Sequence, residues 1–503
     1  MKTLKNLSLV LAVILAFSCK SGNEEAESLP KTIVIFVDGL RPDYITEKQM
    51  PHLHQMMKEG TQSLNHHPIF PSVTRVNATS FATGSYPHRH GILGNTIYLP
   101  QVNPREGVDT GEALELIHAD SVLGGGLVQV PSIGEILSEN NLKYAVFSTG
   151  STGSAWLLNH RVKGLGIINA DTILPVSLQD RILKEFGYAP ASEDPNGARH
   201  AWLTDILIQY ALAGDGPDVS VVWFSDPDGT AHAHGVGVPI TLQAIGKVDE
   251  QIGRIVQAIK DKGLEDKVNL MVTADHGFVT RKASPGLSSF LVEKGFKESP
   301  ESEDMISVAG AVYLSEENKS SLNPIIQSLQ KEEWVGAIFT KEGIEGTLPF
   351  SSVNWDFQER VPDLFVDLNW TDETNEFGYS GFSYGGGVAG HGTSSPYEMS
   401  IPLVAFGPAF KKGYQNGLPS GTVDLLPTIL KLHGVESAEK FDGRVIEEIL
   451  AGEAGPGKEN IRIDTLGAKG IQGEINYQVK LVTESVPGSG KYIIRSETQR
   501  TGN

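Results

Sequence analysis

The sequence predicts an α/β protein: a doubly wound, mostly parallel sheet with helices on both faces and a smaller inserted subdomain. Three observations carry this expectation. Five short apolar runs have the length and composition of strands buried on both faces. Helical periodicity lies between them, the pattern of strand–helix–strand crossovers. Three of the runs lead directly into carboxylates, at Asp38, at Asp226 and Asp228, and at Asp275. In open α/β sheets, ligands bind beyond the carboxyl ends of the strands.

The N-terminus reads as a targeting segment. Lys2 and Lys5 precede an apolar run, Leu7 to Phe17, that is too short for a resident membrane span. Ser18-Cys19 follows, and Cys19 is the only cysteine of the chain. Small residues before a lone cysteine resemble a lipobox, although Phe17 departs from that pattern. Residues 1–19 are therefore expected to be a lipoprotein signal peptide, and residues 20–30 a polar, acidic tether. The chain is expected to be exported and lipid-anchored at Cys19, in the periplasm or on the outer membrane of a bacterium. An ordinary signal peptide is the alternative. Without a second cysteine the mature fold has no internal disulfide.

A catalytic domain is expected over residues 31–450. Its strands are Thr32–Val37, Lys143–Phe147, Val219–Phe224, Val268–Thr273 and Pro402–Phe406, all read as buried parallel strands. Thr241–Lys262 is the clearest helix, with Leu242, Ile245, Val248, Ile252, Ile255, Val256 and Ile259 on one face and Gly263 at its end. Residues 281–390 mix short strands with Gly, Ser and acidic residues and read as an insertion. Within it the Gly-rich Tyr379–Gly390 segment reads as a loop. A C-terminal extension, 451–503, holds a strand pair at Ile475–Thr483 and Lys491–Arg495.

The net charge of −20 argues against a nucleic-acid polymer as partner, which needs a basic footprint. It also repels phosphorylated small molecules at long range. A phosphate site here must bring its own positive charge, and metal ions are the obvious source. Carboxylates delivered to one sheet edge repel one another unless cations neutralise them. Asp228 and His232 have a D-x-x-x-H spacing, Asp275-His276 pairs a carboxylate with an imidazole, and His391 lies between glycines. Nitrogen and oxygen donors without sulfur suit a catalytic zinc site. Thr74, in Phe70-Pro71-Ser72-Val73-Thr74, precedes a helix ending near Thr83-Gly84. Such a threonine is ordinarily an N-cap, and becomes a nucleophile only if a metal stabilises its alkoxide.

These pieces together resemble the alkaline phosphatase superfamily, within it the type I phosphodiesterase/nucleotide pyrophosphatase branch. The matching segments are Val37-Asp38-Gly39, Phe70 to Thr74, Thr83 to Ile92, Pro227-Asp228 to His232, Ala274 to Gly277, Gly390 to Thr393, and the helix start Asp424 to Thr428. They follow the family's order over roughly residues 31 to 430. The resemblance implies an alkaline phosphatase-like fold and two zinc ions per chain. One zinc would be held by Asp228, His232 and His391. The other would be held by Asp38, Asp275 and His276, with Thr74 as ligand and nucleophile. Asn95 falls where the family keeps an amide that binds a phosphoryl oxygen. A phospho-threonine intermediate follows, with two metals roughly 4 Å apart spanning the attacking and departing oxygens.

The ester class rests on the surroundings. The zinc-threonine monoesterases carry a Lys and an Arg in the segment corresponding to Phe147–Ala155, which here has no basic residue. A small-molecule phosphodiester is therefore expected. Arg161 and Lys163 could restore a clamp in a shifted register, and Arg75 is a further candidate for substrate binding. Nucleotide-cleaving members place an aromatic after the nucleophile, where this chain has Arg75. Trp223 matches a second stacking position, or is simply a core residue. A phosphomonoesterase, a phosphonate hydrolase and a non-catalytic surface binding lipoprotein are the other readings. A sulfatase is not expected, because the nucleophile segment Phe70 to Thr74 holds no Cys/Ser-x-Pro-x-Arg. Radioactive palmitate fed to the producing cell is expected to label the chain, and Cys19→Ala to abolish the label; labelling that survives the substitution refutes the anchor.

Overall fold

The computed structural model describes residues 30–473 and 475–502. The signal segment, Cys19 and residues 20–29 of the tether lie outside the described residues. The central sheet uses β1 Lys31–Val37, β2 Thr61–His67, β3 Tyr144–Ser148, β4 Gly166–Asn169, β5 Ile173–Leu174, β6 Val219–Phe224, β7 Val268–Thr273, β8 Ile401–Phe406 and β9 Tyr414–Asn416. Their order is β9-β2-β8-β7-β1-β6-β3-β4-β5, and the short Ser420–Gly421 also pairs with β2. β4, β3, β6, β1 and β7 run parallel. Helices pack on both faces. Side chains alternate across β1: Val34 and Phe36 enter one apolar layer, and Ile33, Ile35 and Val37 the other.

Register positions the chemistry. Val37 pairs with Phe224, and Phe36 with Thr273. The residues that follow, including Asp38, Asp228 and Asp275, therefore emerge at one edge. Three helices matter there: α1 Thr74–Thr83, α2 Asp228–His234 and α3 Pro239–Asp261. Pro239 begins α3, where its missing N–H costs nothing, and Gly263 follows its end with φ +64°. Ile245, Val248, Ile252, Ile255 and Ile259 are buried along one face, as their spacing predicts.

Several expectations are corrected. Pro402–Phe406 does form a buried strand, β8, but it runs antiparallel between β7 and β2. Apolar composition reports burial and carries no information about direction. β2 was not legible because its seven residues, Thr-Gln-Ser-Leu-Asn-His-His, are mostly polar. Its buried imidazoles find internal partners: His66 Nδ1 meets Ser420 Oγ at 2.8 Å and His67 Nδ1 meets the Met399 carbonyl at 2.7 Å.

Between β7 and β8 the chain builds two small sheets. One joins Val279–Lys282, Trp370–Thr374, Ser380–Tyr384 and Ala389–Gly390; the other has five strands between Met305 and Leu368. Tyr379–Gly390 is therefore not simply a loop, because its glycines permit backbone pairing with Val279–Lys282. The C-terminal extension adds a third strand, Arg462–Gln472, to the expected pair. That strand carries Gly467 and Gly470, which mask strand propensity. This sheet docks through Tyr492 Oη, which donates to Asp424 Oδ2 at 2.7 Å, and Glu484, which lies 2.7 Å from His67 Nε2.

Candidate active site

The site is assembled by loops that leave β1, β6 and β7. Asp38 ends β1, Asp228 opens α2, and Asp275-His276 follows β7. Gly39 has φ +73°, and a β-carbon there would sit 3.0 Å from Phe278 and 3.3 Å from Asp228, so only glycine fits. Its N–H donates to Asp275 Oδ1 at 3.1 Å, while Asp228 N–H donates to the Asp38 carbonyl at 3.0 Å. These bonds hold the three carboxylates at one point.

Two overlapping groups of donors result. Asp228, His232 and His391 converge within 4.8 Å of one another, and so do Asp38, Asp228 and His276. Asp228 Oδ1 lies between them, 3.3 Å from Nε2 of His232 and of His391, and 4.0 Å from Nε2 of His276. Asp275 Oδ2 is 3.1 Å and Asp38 Oδ1 3.5 Å from His276 Nε2. The structure thus brings together all six residues expected as ligands and makes Asp228 the shared corner.

The donor set fits metal ions on three counts. Asp38 Oδ1, Asp228 Oδ1 and Asp275 Oδ2 are buried and have no hydrogen-bond partner. His276 Nδ1 lies 3.0 Å from the Gly277 carbonyl, and His391 Nδ1 lies 2.8 Å from the Ser72 carbonyl. A carbonyl only accepts, so each Nδ1 carries the proton and each Nε2 lone pair faces the site. Burial, reinforced by the charges of Asp275 and Asp228, pushes the Asp38 carboxyl well above its usual range. Burial, aided by the charge of His276, also lowers His391 to about 4. Burial raises Asp228 as well, but His232 and His391 outweigh it and hold that carboxyl well below its usual range. A buried cluster of this sign needs a cation.

Thr74 is the first residue of α1 and is buried. Its Oγ1 lies 3.3 Å from His276 Nε2, against the carboxylate cluster. It makes no cap of its own helix; Val73 holds the N-cap position without a side-chain bond. Asn95 Oδ1 accepts from Arg75 N–H at 3.1 Å, which leaves the amide NH2 as a donor beside the helix start. Arg75 is half-buried, its Nε is buried without a partner, and its charge lowers the Asp38 pKa. Arg161, by contrast, bonds Asp120 at 2.8 Å and the Gly125 carbonyl at 2.6 Å. Lys163 is exposed.

Trp223 is not a stacking platform. It is fully buried in the sheet and stacks on Phe36 with ring centroids 4.6 Å apart. Its Nε1 donates to Asp38 Oδ2 at 2.8 Å, so it orients a carboxylate. Two further residues escaped sequence reasoning. Glu398, fully buried, accepts from Thr393 N–H and Oγ1, each at 2.6 Å, and from Ser72 Oγ at 3.2 Å. Its own carbonyl accepts from Gly277 N–H at 2.9 Å, so one residue ties the segments carrying Thr74, His276 and His391 together. Arg281 donates to the His391 carbonyl at 2.6 Å. Neither lies in a recognisable motif; a lone Glu ahead of a buried strand was the only signal.

Residues 32–371, more than half of the chain, match the type I phosphodiesterase / nucleotide pyrophosphatase family. The chain is 24% identical over 425 residues to the bis(5'-adenosyl)-triphosphatase enpp4 of Mus musculus, covering 82% of this chain and 80% of that protein. It is 26% identical over 250 residues to ectonucleotide pyrophosphatase/phosphodiesterase family member 1 of Rattus norvegicus, covering 49% of this chain and 24% of that one. Among solved structures, an inactive variant of murine ectonucleotide pyrophosphatase/phosphodiesterase 5 in complex with AMP superposes with TM-score 0.61 at 20% identity. It covers 84% of this chain and 100% of that chain, and shares the fold. Trp223→Phe is expected to keep the fold and weaken metal binding by roughly 10-fold or more, read by chelator competition; unchanged affinity would show that the indole only packs.

Proposed function

The chain belongs to the type I phosphodiesterase / nucleotide pyrophosphatase family, and from that premise we propose that it is a two-zinc phosphodiesterase with Thr74 as nucleophile. The observation that carries this is the Thr74 hydroxyl at the open end of α1, 3.3 Å from His276 Nε2 and beside three carboxylate oxygens without hydrogen-bond donors. Asp228, His232 and His391 would hold one zinc, and Asp38, Asp275 and His276 the other. When bound, the pair supplies the positive charge that lowers the pKa of an attacking hydroxyl and offsets charge on a departing oxygen.

The chain's own residues do the rest. The Thr74 hydroxyl attacks phosphorus, the P–O bond to one ester oxygen breaks, and that oxygen departs as an alcohol carrying the proton that Thr74 gives up. The Asn95 amide and the free N–H groups at the start of α1 donate to a non-bridging oxygen, where charge grows. Water then cleaves the phospho-threonine, restoring Thr74 and releasing a phosphomonoester. Glu398 keeps the three reacting segments in register throughout.

A diester is favoured because the basic side chains beside the proposed zinc pair are few. The charge of Arg75 acts on Asp38, no basic residue occupies Phe147–Ala155, and Arg161 is held by Asp120. A diester phosphate carries one charge less than a monoester phosphate. Similarity to relatives named for nucleotide substrates supports nucleotide diesters as a class. The chain itself offers no aromatic platform at Arg75 or Trp223. We also propose, from residues 1–30 alone, that the enzyme works outside the cytoplasm on a lipid anchor.

Thr74→Ala is expected to lose at least about 10³-fold in turnover while binding two zinc ions per chain by elemental analysis. Wild-type-like turnover in that variant overturns the nucleophile assignment. Zinc-reconstituted enzyme is expected to prefer bis-p-nitrophenyl phosphate over p-nitrophenyl phosphate by tenfold or more in kcat/KM, about 1.4 kcal/mol of transition-state preference. Reversal of that ratio makes it a monoesterase with Arg75 as the clamp; less than one zinc per chain after reconstitution supports the binding-lipoprotein reading.

A further inference from the structure

A cavity of about 440 Å³ opens beside the candidate site, with the Leu93 to Ile97 segment on one side and the small five-stranded sheet of the insertion on the other. It reaches the site itself, because Val73, Asn95 and His391 form part of its wall. Its remaining surface is largely apolar, built by Leu93, Ile97, Val308, Trp334, Trp355 and Phe365. The volume is that of a small-molecule pocket. Among the described residues no lysine or arginine lines it, and its one carboxylate, Asp367, is engaged by Ser394. The cavity lies apart from the Phe147–Ala155 segment, and neither Arg75 nor Trp223 lines it.

These features set what an ester group can carry into the cavity. A polyphosphate tail brings two or more charges and needs cationic partners, which this wall lacks. An alkyl or aryl group gains from leaving water for such a surface. Trp355 Nε1 is satisfied by the Leu93 carbonyl at 2.9 Å and Tyr313 Oη by the Arg360 carbonyl at 3.0 Å, while Trp334 Nε1 is buried without a partner. The other polar side chains of the wall, Asn95 and the hydroxyls of Thr96, Ser284 and Thr393 among them, are uncharged and meet no charge on an ester group. We propose that one ester substituent of the substrate is an uncharged apolar alcohol seated in this cavity. The proposal rests on the phosphodiesterase reading and narrows its substrate class away from nucleoside polyphosphates.

The test uses the zinc-loaded enzyme turning over bis-p-nitrophenyl phosphate. Methyl n-alkyl phosphate diesters, from ethyl to octyl, are added as competitors, with a methyl ω-carboxyalkyl phosphate of matching length. The inhibition constant is expected to fall at least about 10-fold from ethyl to octyl, since each buried methylene contributes several-fold at most. The terminal carboxylate is expected to cancel that gain. In Val308→Trp, which fills the cavity from its half-buried rim, the octyl-to-ethyl ratio is expected to fall within about twofold of unity. A flat series in the wild-type enzyme, or a carboxylate tolerated as well as a methyl end, overturns the inference while chromogenic turnover leaves the diesterase reading standing. A ratio that survives in Val308→Trp places the chain elsewhere and also overturns it. No turnover of any diester instead defeats the reading on which the proposal rests.

Discussion

Mutual repulsion among buried carboxylates governs this molecule. Asp38, Asp228 and Asp275 are brought to one edge by the register of β1, β6 and β7, and each keeps one oxygen without a donor. In an apolar sheet edge that arrangement is costly. It becomes favourable only with cations between the oxygens, and the imidazoles are already turned to share them: the protons of His276 and His391 point away to backbone carbonyls. The fold therefore stores an unmet electrostatic demand at the candidate site, and a metal bound there would contribute to stability as well as to chemistry.

That demand is met only if the three approaching segments hold still. The Thr74 segment, the Asp275-His276 segment and the His391 segment come from distant parts of the chain. Glu398 joins all three by side-chain and backbone bonds, and Arg281 fixes the His391 carbonyl. Trp223 does the same for Asp38 from the opposite side. The candidate ligands are thus backed by buried polar contacts, as a preorganised site requires.

Much of this was legible in the sequence because burial on both faces leaves an unbroken apolar run. The Val219–Phe224 and Val268–Thr273 strands were readable to the residue. The carboxylates were readable because they interrupt those runs at their ends. What stayed hidden depends on tertiary partners. β2 is polar yet central enough to be flanked on both sides, since its histidines are satisfied by Ser420 and Met399. The direction of β8 is set by topology alone. Trp223 offered two readings at one position, and the register of β6 against β1 decided between them by turning the ring into the sheet. Glu398 carries no motif, because its role is defined by what three remote segments need.

The position of β1 has a consequence for the chain as it is made. Thr32 pairs with Val219 on one side and Asn269 on the other. The first strand to be synthesised is therefore an orphan until Val219 to Phe224 has been made, and it is flanked on both sides only after Val268 to Thr273. Thr32 to Val37 is apolar, rich in β-branched residues and without charge or proline, which is the composition of a segment prone to intermolecular stacking. Glu24, Glu25 and Glu27 stand just ahead of it. Charge set directly ahead of an aggregation-prone strand is the composition of a gatekeeper, which opposes the stacking of like strands from neighbouring chains.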